Sequence, residues 1–219
     1  SPLEMAGILD KLALVSQSQG KYDLAETLYK RSLTMREDIV GSAHPKVADS
    51  LNNLAGLYRS MGEYDAAERL YKQSLGIREV ALGIDHLDVS NSLNNLALVF
   101  YFQGRYADAE PLYKRSLSIQ EQSLGYDHPA LATTLNNLAL MYYSEGDYRD
   151  AEVIYQRALQ IYEKHLAADQ GRHLATVLEN ISRLYEKMNH DEEAKRFAAQ
   201  AKEERKHAKS SESSPIILE

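Results

Sequence analysis

The sequence predicts an all-α chain built as a linear array of about five antiparallel helix pairs. Three observations carry that prediction: a 42-residue repeat, two helical apolar stripes inside each copy, and no run of alternating strand pattern. Gly20, Gly62, Gly104 and Gly146 stand 42 residues apart, as do Tyr22, Tyr64, Tyr106 and Tyr148. Ala25-Glu26, Ala67-Glu68, Ala109-Glu110 and Ala151-Glu152 keep the same period, each followed by Tyr29, Tyr71, Tyr113 or Tyr155. A fifth, more divergent copy comes after a one-residue insertion between Ala167 and His173, so that Leu178 matches Leu135 at 43 residues. There Asn189 takes the glycine's place, and asparagine shares glycine's tolerance of left-handed backbone between two helices.

Within copy two, Leu51, Leu54, Ala55 and Tyr58 fall at i, i+3, i+4 and i+7, the buried stripe of a first helix, A. After Gly62 a second stripe runs through Tyr64, Ala67, Leu70, Tyr71, Ser74 and Leu75, giving helix B. Ala55 and Ala67 are small where the two helices approach. Each new helix A opens on a turn signal, His44-Pro45, Asp85-His86 or Asp127-His128-Pro129. Proline suits a first helical position, where its missing N–H would lack a partner anyway. The expected copies are 3–41, 45–83, 87–125, 129–168 and 173–208, an array over 1–208. Residues 209–219, with Ser210-Ser211-Glu212-Ser213-Ser214 at their centre, read as a flexible tail. Its Ile216-Ile217-Leu218 triplet gives the expectation of self-association, the tail docking on a neighbouring molecule.

Composition narrows function by exclusion. The 219 residues include no cysteine, so neither a disulfide framework nor a thiolate metal site is available and a cytoplasmic home is expected. No apolar run approaches the roughly 20 residues that cross a bilayer, and the start at Ser1 without Met points to a fragment lacking a signal peptide. A net charge of −7 argues against nucleic acid as a partner. The basic residues between Lys195 and Lys209 alternate with Glu203 and Glu204 and read as a solvated helix face.

A 42-residue period alone also fits HEAT, armadillo and propeller repeats, but the residues inside it discriminate. L-x-x-L-A-x-x-Y, then G-x-Y, then A-E, then L-Y or I-Y resembles the tetratricopeptide repeat (TPR). The runs Leu51 to Ala55, Leu93 to Ala97 and Leu135 to Ala139, with the Leu124-Gly125-Tyr126-Asp127-His128-Pro129 link, resemble its kinesin light chain-like branch. That resemblance implies a right-handed superhelical solenoid whose A helices line a concave groove. It implies no motor function, because the heptad segment that joins light to heavy chains is not in this sequence.

With Leu51, Leu54, Ala55 and Tyr58 inward, steps of 100° turn Asp49, Asn52, Gly56, Arg59 and Ser60 toward the groove. The same steps give Asn94, Leu98, Tyr101 and Phe102 in copy three and Asn136, Leu140 and Tyr143 in copy four. Tyr101, Phe102 and Tyr143 are superfluous to the core stripe and are candidate anchors for a partner, or lateral packing between A helices. Asparagine is a poor residue for a helix interior, so Asn52, Asn94 and Asn136 ask for a reason. A side-chain amide pairs with both the N–H and the C=O of an extended peptide, and the family resemblance implies such clamping by the first Asn of each LNNLA run. Asn53, Asn95 and Asn137 lie nearer the seam between A helices and suggest an inter-repeat hydrogen-bond ladder, which both sets fit. Asp10-Lys11 and Glu179-Asn180 break the pattern at the ends.

His44, His86 and His128 sit one to a repeat, too dispersed to gather round a metal, and read as caps or as turn packing. Glu26, Glu68, Glu110 and Glu152 read as solvated groups or inter-repeat ion pairs, and the tyrosines of Gly-x-Tyr as core. No phosphate-cradling loop, H-E-x-x-H or G-x-S-x-G occurs, so no catalytic, metal or cofactor site is expected. The expected function is a non-enzymatic scaffold that binds an extended peptide segment in the groove through Asn52, Arg59, Asn94, Leu98, Tyr101, Phe102, Asn136, Leu140 and Tyr143. Its rival is a structural or regulatory spacer in a larger signalling or motor-associated protein.

Overall fold

The computed structural model describes residues 2–165 and 172–212. Among them are ten α-helices and no strand, in five sequential pairs. The pairs are α1 (Pro2–Ser18) with α2 (Tyr22–Val40), α3 (Pro45–Ser60) with α4 (Tyr64–Leu82), and α5 (Leu87–Phe102) with α6 (Tyr106–Leu124). They continue with α7 (Ala130–Glu145) and α8 (Tyr148–Lys164), then α9 (Arg172–Lys187) and α10 (Asp191–Glu212). The chain divides into two compact units, Ser1–Ile119 and Gln120–Glu219. Helix α10 runs through Glu212, so it takes in residues 209–212 of the expected tail. Residues 213–219, and with them the expected docking of the tail, lie outside the described residues.

Local chemistry explains the punctuation. The imidazole Nδ1 of His44 accepts from the Lys46 amide at 3.1 Å, that of His86 from Asp88 at 3.1 Å, and that of His128 from Ala130 at 3.2 Å. The three histidines therefore satisfy backbone donors that the first turn of a helix cannot bond internally. At the turn from A to B, Gly104 has φ +72° and Asn189 the equivalent +61°, a left-handed conformation that other residues enter at a cost.

In the first unit, helix B is clasped to its own A helix by a buried hydroxyl: Ser32 Oγ donates to the Ala6 carbonyl, Ser74 to Ala48 and Ser116 to Ser90, at 2.8 to 2.9 Å. Leu51, Leu54 and Ala55 are buried as the stripe requires, yet α3 also buries Val47, Ser50 and Leu57. Those three sit on a second face, and Leu54 and Leu57 pack with Ala25 and Tyr29 of the preceding α2. A helix that follows another pair is thus sandwiched, and a single 100° stripe underestimates its burial. α1 shows the converse: Met5, Ile8, Leu12 and Val15, which occupy the positions of Val47, Ser50, Leu54 and Leu57, are about half exposed.

A buried arginine ties successive pairs in this unit. Arg36 of α2 meets Asp10 of its own pair at 2.7 Å and donates to Ser50 Oγ of the next A helix. Arg78 repeats the arrangement one step on, with Asp49 at 2.7 Å, Ser92 Oγ at 2.8 Å and the Asp88 carbonyl at 3.0 Å. Arginine suits this place because its planar fork serves several acceptors at once.

Candidate functional site

The residues predicted to face the groove lie on the A helices, and the structure shows what each touches. Asn95 Nδ2 of α5 donates to Asn52 Oδ1 of α3 at 2.9 Å, and in the second unit Asn180 Nδ2 donates to Asn136 Oδ1 at 2.9 Å. Asn94 and Asn137 have polar partners as well. Asn95 therefore makes the inter-repeat bond expected of its position, Asn180 makes its counterpart in the second unit, and each makes it with an asparagine of the first set. In the two bonds above the first asparagine accepts through Oδ1, which leaves the Nδ2 hydrogens of Asn52 and Asn136 outside the ladder. An amide held by one edge presents the other in a fixed direction. All three first-position asparagines are half-buried.

The end pairs replace that asparagine by a carboxylate, and both are held by the arginine of helix B: Asp10 by Arg36 and Glu179 by Arg205, the latter through Nε and through Nη2 at 2.8 Å. The Arg205 guanidinium, hydrogen-bonded to Glu179, keeps that carboxyl below the usual range. Arg59, one of the predicted contacts, turns partly inward against the Tyr71 hydroxyl, whose ionisation is pushed up by burial and eased by the Arg59 charge.

Tyr101 and Tyr143 are half-buried and Phe102 is 46% exposed. Each lies on another ring. Phe102 stacks on Tyr64 of the preceding pair with centroids 5.6 Å apart, and Tyr101 meets Tyr106 at 5.9 Å and Phe102 edge-on at 5.3 Å. In the second unit Tyr143 lies 5.8 Å from Tyr148. These rings thus pack on tyrosines of the B helices rather than between adjacent A helices, and Phe102 keeps an aromatic surface facing out. The tyrosines of Gly-x-Tyr are accordingly not simply core: Tyr64, Tyr106 and Tyr148 are half-buried platforms. Their place one residue after the turn, five beyond Tyr101 or Tyr143, was the signal available in the sequence. Leu98 and Leu140 are half-buried between the asparagine and tyrosine positions.

The recurrent glutamates form ion pairs and hydrogen bonds along the array. Tyr58 donates to Glu26 at 2.6 Å, Tyr185 to Glu152 at 2.6 Å, and Arg105 meets Glu68 at 2.9 Å. Phe100, at the position of Tyr58, has no hydroxyl to give, and the Arg105 guanidinium lies 4.2 Å from its ring centroid instead. Hydrogen bonds from Lys30 and Tyr58 hold the Glu26 carboxyl below its ordinary value. Among the described residues no cluster of three or more metal-ligating side chains occurs.

Comparison with known proteins agrees with this architecture. The tetratricopeptide repeat model matches residues 4–80, 67–122 and 88–164, well over half the chain. No curated protein sequence matches. BtubC (BKLC) from P. vanneervenii is similar in structure, with 25% identity over 100% of this chain and 85% of its own, TM-score 0.83. A Podosopora anserina putative kinesin light chain with nearly identical TPR-like repeats has 23% identity over 97% of this chain and 98% of its own, TM-score 0.77. A Rap protein crystallised with Competence and Sporulation Factor has 17% identity over 96% of this chain and 57% of its own, TM-score 0.80, a likeness of fold alone. With its 42-residue helix pairs, its LNNLA runs and these matches, the chain belongs to the tetratricopeptide repeat family, in its kinesin light chain-like branch.

Proposed function

We propose that this protein-interaction scaffold binds an extended peptide segment along the exposed faces of its A helices and catalyses no reaction. The observation that carries the reading is the asparagine ladder, which spends one edge of Asn52 and Asn136 on the neighbouring repeat and leaves the N–H2 edge free for a peptide carbonyl. Tyr101 and Phe102 in the first unit and Tyr143 in the second, each backed by another ring, offer apolar anchorage beside it. The Rap protein named above was crystallised with a partner factor, which lends support by analogy of fold. A cytoplasmic location belongs to the same reading: no described helix is long and apolar enough to cross a membrane, and the chain has no cysteine that needs an oxidising compartment.

A random peptide library panned on the full chain supplies ligands for the test. Asn94→Ala with Asn136→Ala is expected to weaken every selected peptide by a similar factor, because backbone bonds are lost, whereas Tyr101→Ala alters sequence preference. If the double variant unfolds early but binds normally per folded molecule, the ladder is structural only. A library that yields no ligand favours the spacer reading.

A further inference from the structure

The last helix pair departs from the repeat at the very positions that seat the next A helix on earlier pairs. Tyr29, Tyr71, Tyr113 and Tyr155 are all buried, but Ala198 replaces them on α10 and is exposed. Leu33, Leu75, Leu117 and Leu159 become Lys202, and Glu37, Glu79, Glu121 and Glu163 become Lys206. On α9, Arg183 stands where Gly56, Leu98 and Leu140 stand. An open concavity of about 520 Å³ lies between α9 and α10, lined by Glu179, Arg183, Glu186, Ala198, Lys202 and Arg205 among others, with Ala198 where the earlier pairs carry the tyrosine. Arg183 acts on Glu179 and Lys202 on Glu203 through charge alone, neither in a hydrogen bond or ion pair among the described residues, while Lys206 pairs with Glu203 of its own helix at 2.7 Å.

We propose that this face of the α9–α10 pair is the seat of an acidic helix from a partner protein, held where the following A helix lies on earlier pairs. Three observations favour that occupant. The shape is that of a helix seat, since Arg36 and Arg78, at the position of Arg205, reach across to a serine of the next A helix. The small floor of Ala198 and buried Ala201 admits a side chain from the incoming helix where the chain's own tyrosine otherwise lies. The charge, finally, disfavours a sixth copy of the same kind. Arg115 of α6 reaches back to Glu79 and, in the second unit, Arg157 to Glu121, each at 2.6 Å, whereas Lys206 would repel an arginine arriving there. Carboxylates at that place instead meet Lys202, Lys206 and Arg183, and this complementarity selects the partner and speeds its capture. The proposal stands independently of the peptide groove.

The test uses the full chain and two fluorescent stapled amphipathic peptides as long as α9, 16 residues. They are alike on the apolar face but carry Glu or Lys at the flanking positions. The Glu peptide is expected to bind at least about tenfold tighter than its Lys twin. Lys202→Glu with Lys206→Glu is expected to reverse that order, and Ala198→Tyr to lower affinity about tenfold by filling the cavity, with the helical circular dichroism and melting temperature unchanged or raised. Equal binding of the two peptides, or binding indifferent to all three substitutions, overturns the proposal. A gain of affinity on removing residues 213–219 assigns the cavity to the chain's own end and also overturns it. So does self-association abolished by the charge reversal, which assigns it to a second copy.

Discussion

Leu96 lies on α5 with 3% of its surface exposed, at the position of Leu54 and Leu138, which are as deeply buried. Truncating such a side chain loses its transfer free energy and leaves a void that rigid helices fill only in part. Leu96→Ala is therefore expected to cost about 2 to 5 kcal/mol, read from the shift in urea midpoint at unchanged slope. The asparagines are subtler. Their recurrence inside a helix was legible as anomalous in the sequence, and a ladder was one of its two readings. What the sequence withheld was the direction: which edge of Asn52 faces the seam depends on Asn95, 43 residues away, and no local rule supplies that partner. Asn52→Ala and Asn95→Ala are expected to be non-additive in stability, the second substitution costing little once the first has removed the acceptor, and a double-mutant cycle measures the coupling.

Caps and turns were legible in the sequence because histidine, proline and glycine act within a few residues of themselves, whereas the run of α10 through Glu212, past 208, was not. His86→Ala removes a side-chain acceptor from the first turn of α5 and is expected to cost about 0.5 to 2 kcal/mol. Gly104→Ala strains a turn held at φ +72° and is expected to cost about 1 to 2 kcal/mol, although nothing crowds the added methyl. Both are measurable by thermal melts monitored at 222 nm. Burial of whole helices was less legible. A stripe drawn from one repeat predicts contact with its own partner helix, whereas Leu57 packs on Ala25 and Tyr29 of the pair before and Ser50 accepts from its Arg36. Likewise the tyrosines after each glycine looked like core because periodicity cannot distinguish a ring packed inside from one stacked at the rim.

At the scale of the whole molecule the repeated carboxylates set the response to acid. Glu26 is held below its ordinary value of 4.5 by Lys30 and Tyr58, and Glu179 by Arg205. A carboxyl depressed by folding contributes stability that is present above its unfolded value and lost as the pH falls through its folded one. The urea midpoint is accordingly expected to stay level from pH 7 to about 5 and to decline below about 4.5, more gently for Glu26→Gln. These groups are near the surface, so screening keeps each contribution small and added salt flattens the decline.

The seams of the first unit also bear on how such a chain lengthens. The seam between α3 and α5 joins Asn52 to Asn95, and Arg78 of α4 grips Ser92. Asn53 and Ser50 already stand at the matching places in the pair before. An unequal recombination that copied residues 45–86 in tandem would bring Asn53 of the copy to Asn52 of the original, and Ser50 of the copy to Arg78. For those two bonds no new side chain would have to be invented, whereas Gln73 and Ser60 stand where Arg115 and Phe102 make their own contacts across the seam. The inherited unit is in that sense the seam and not the helix, and a single event lengthens the array by a whole pair with those bonds already in place.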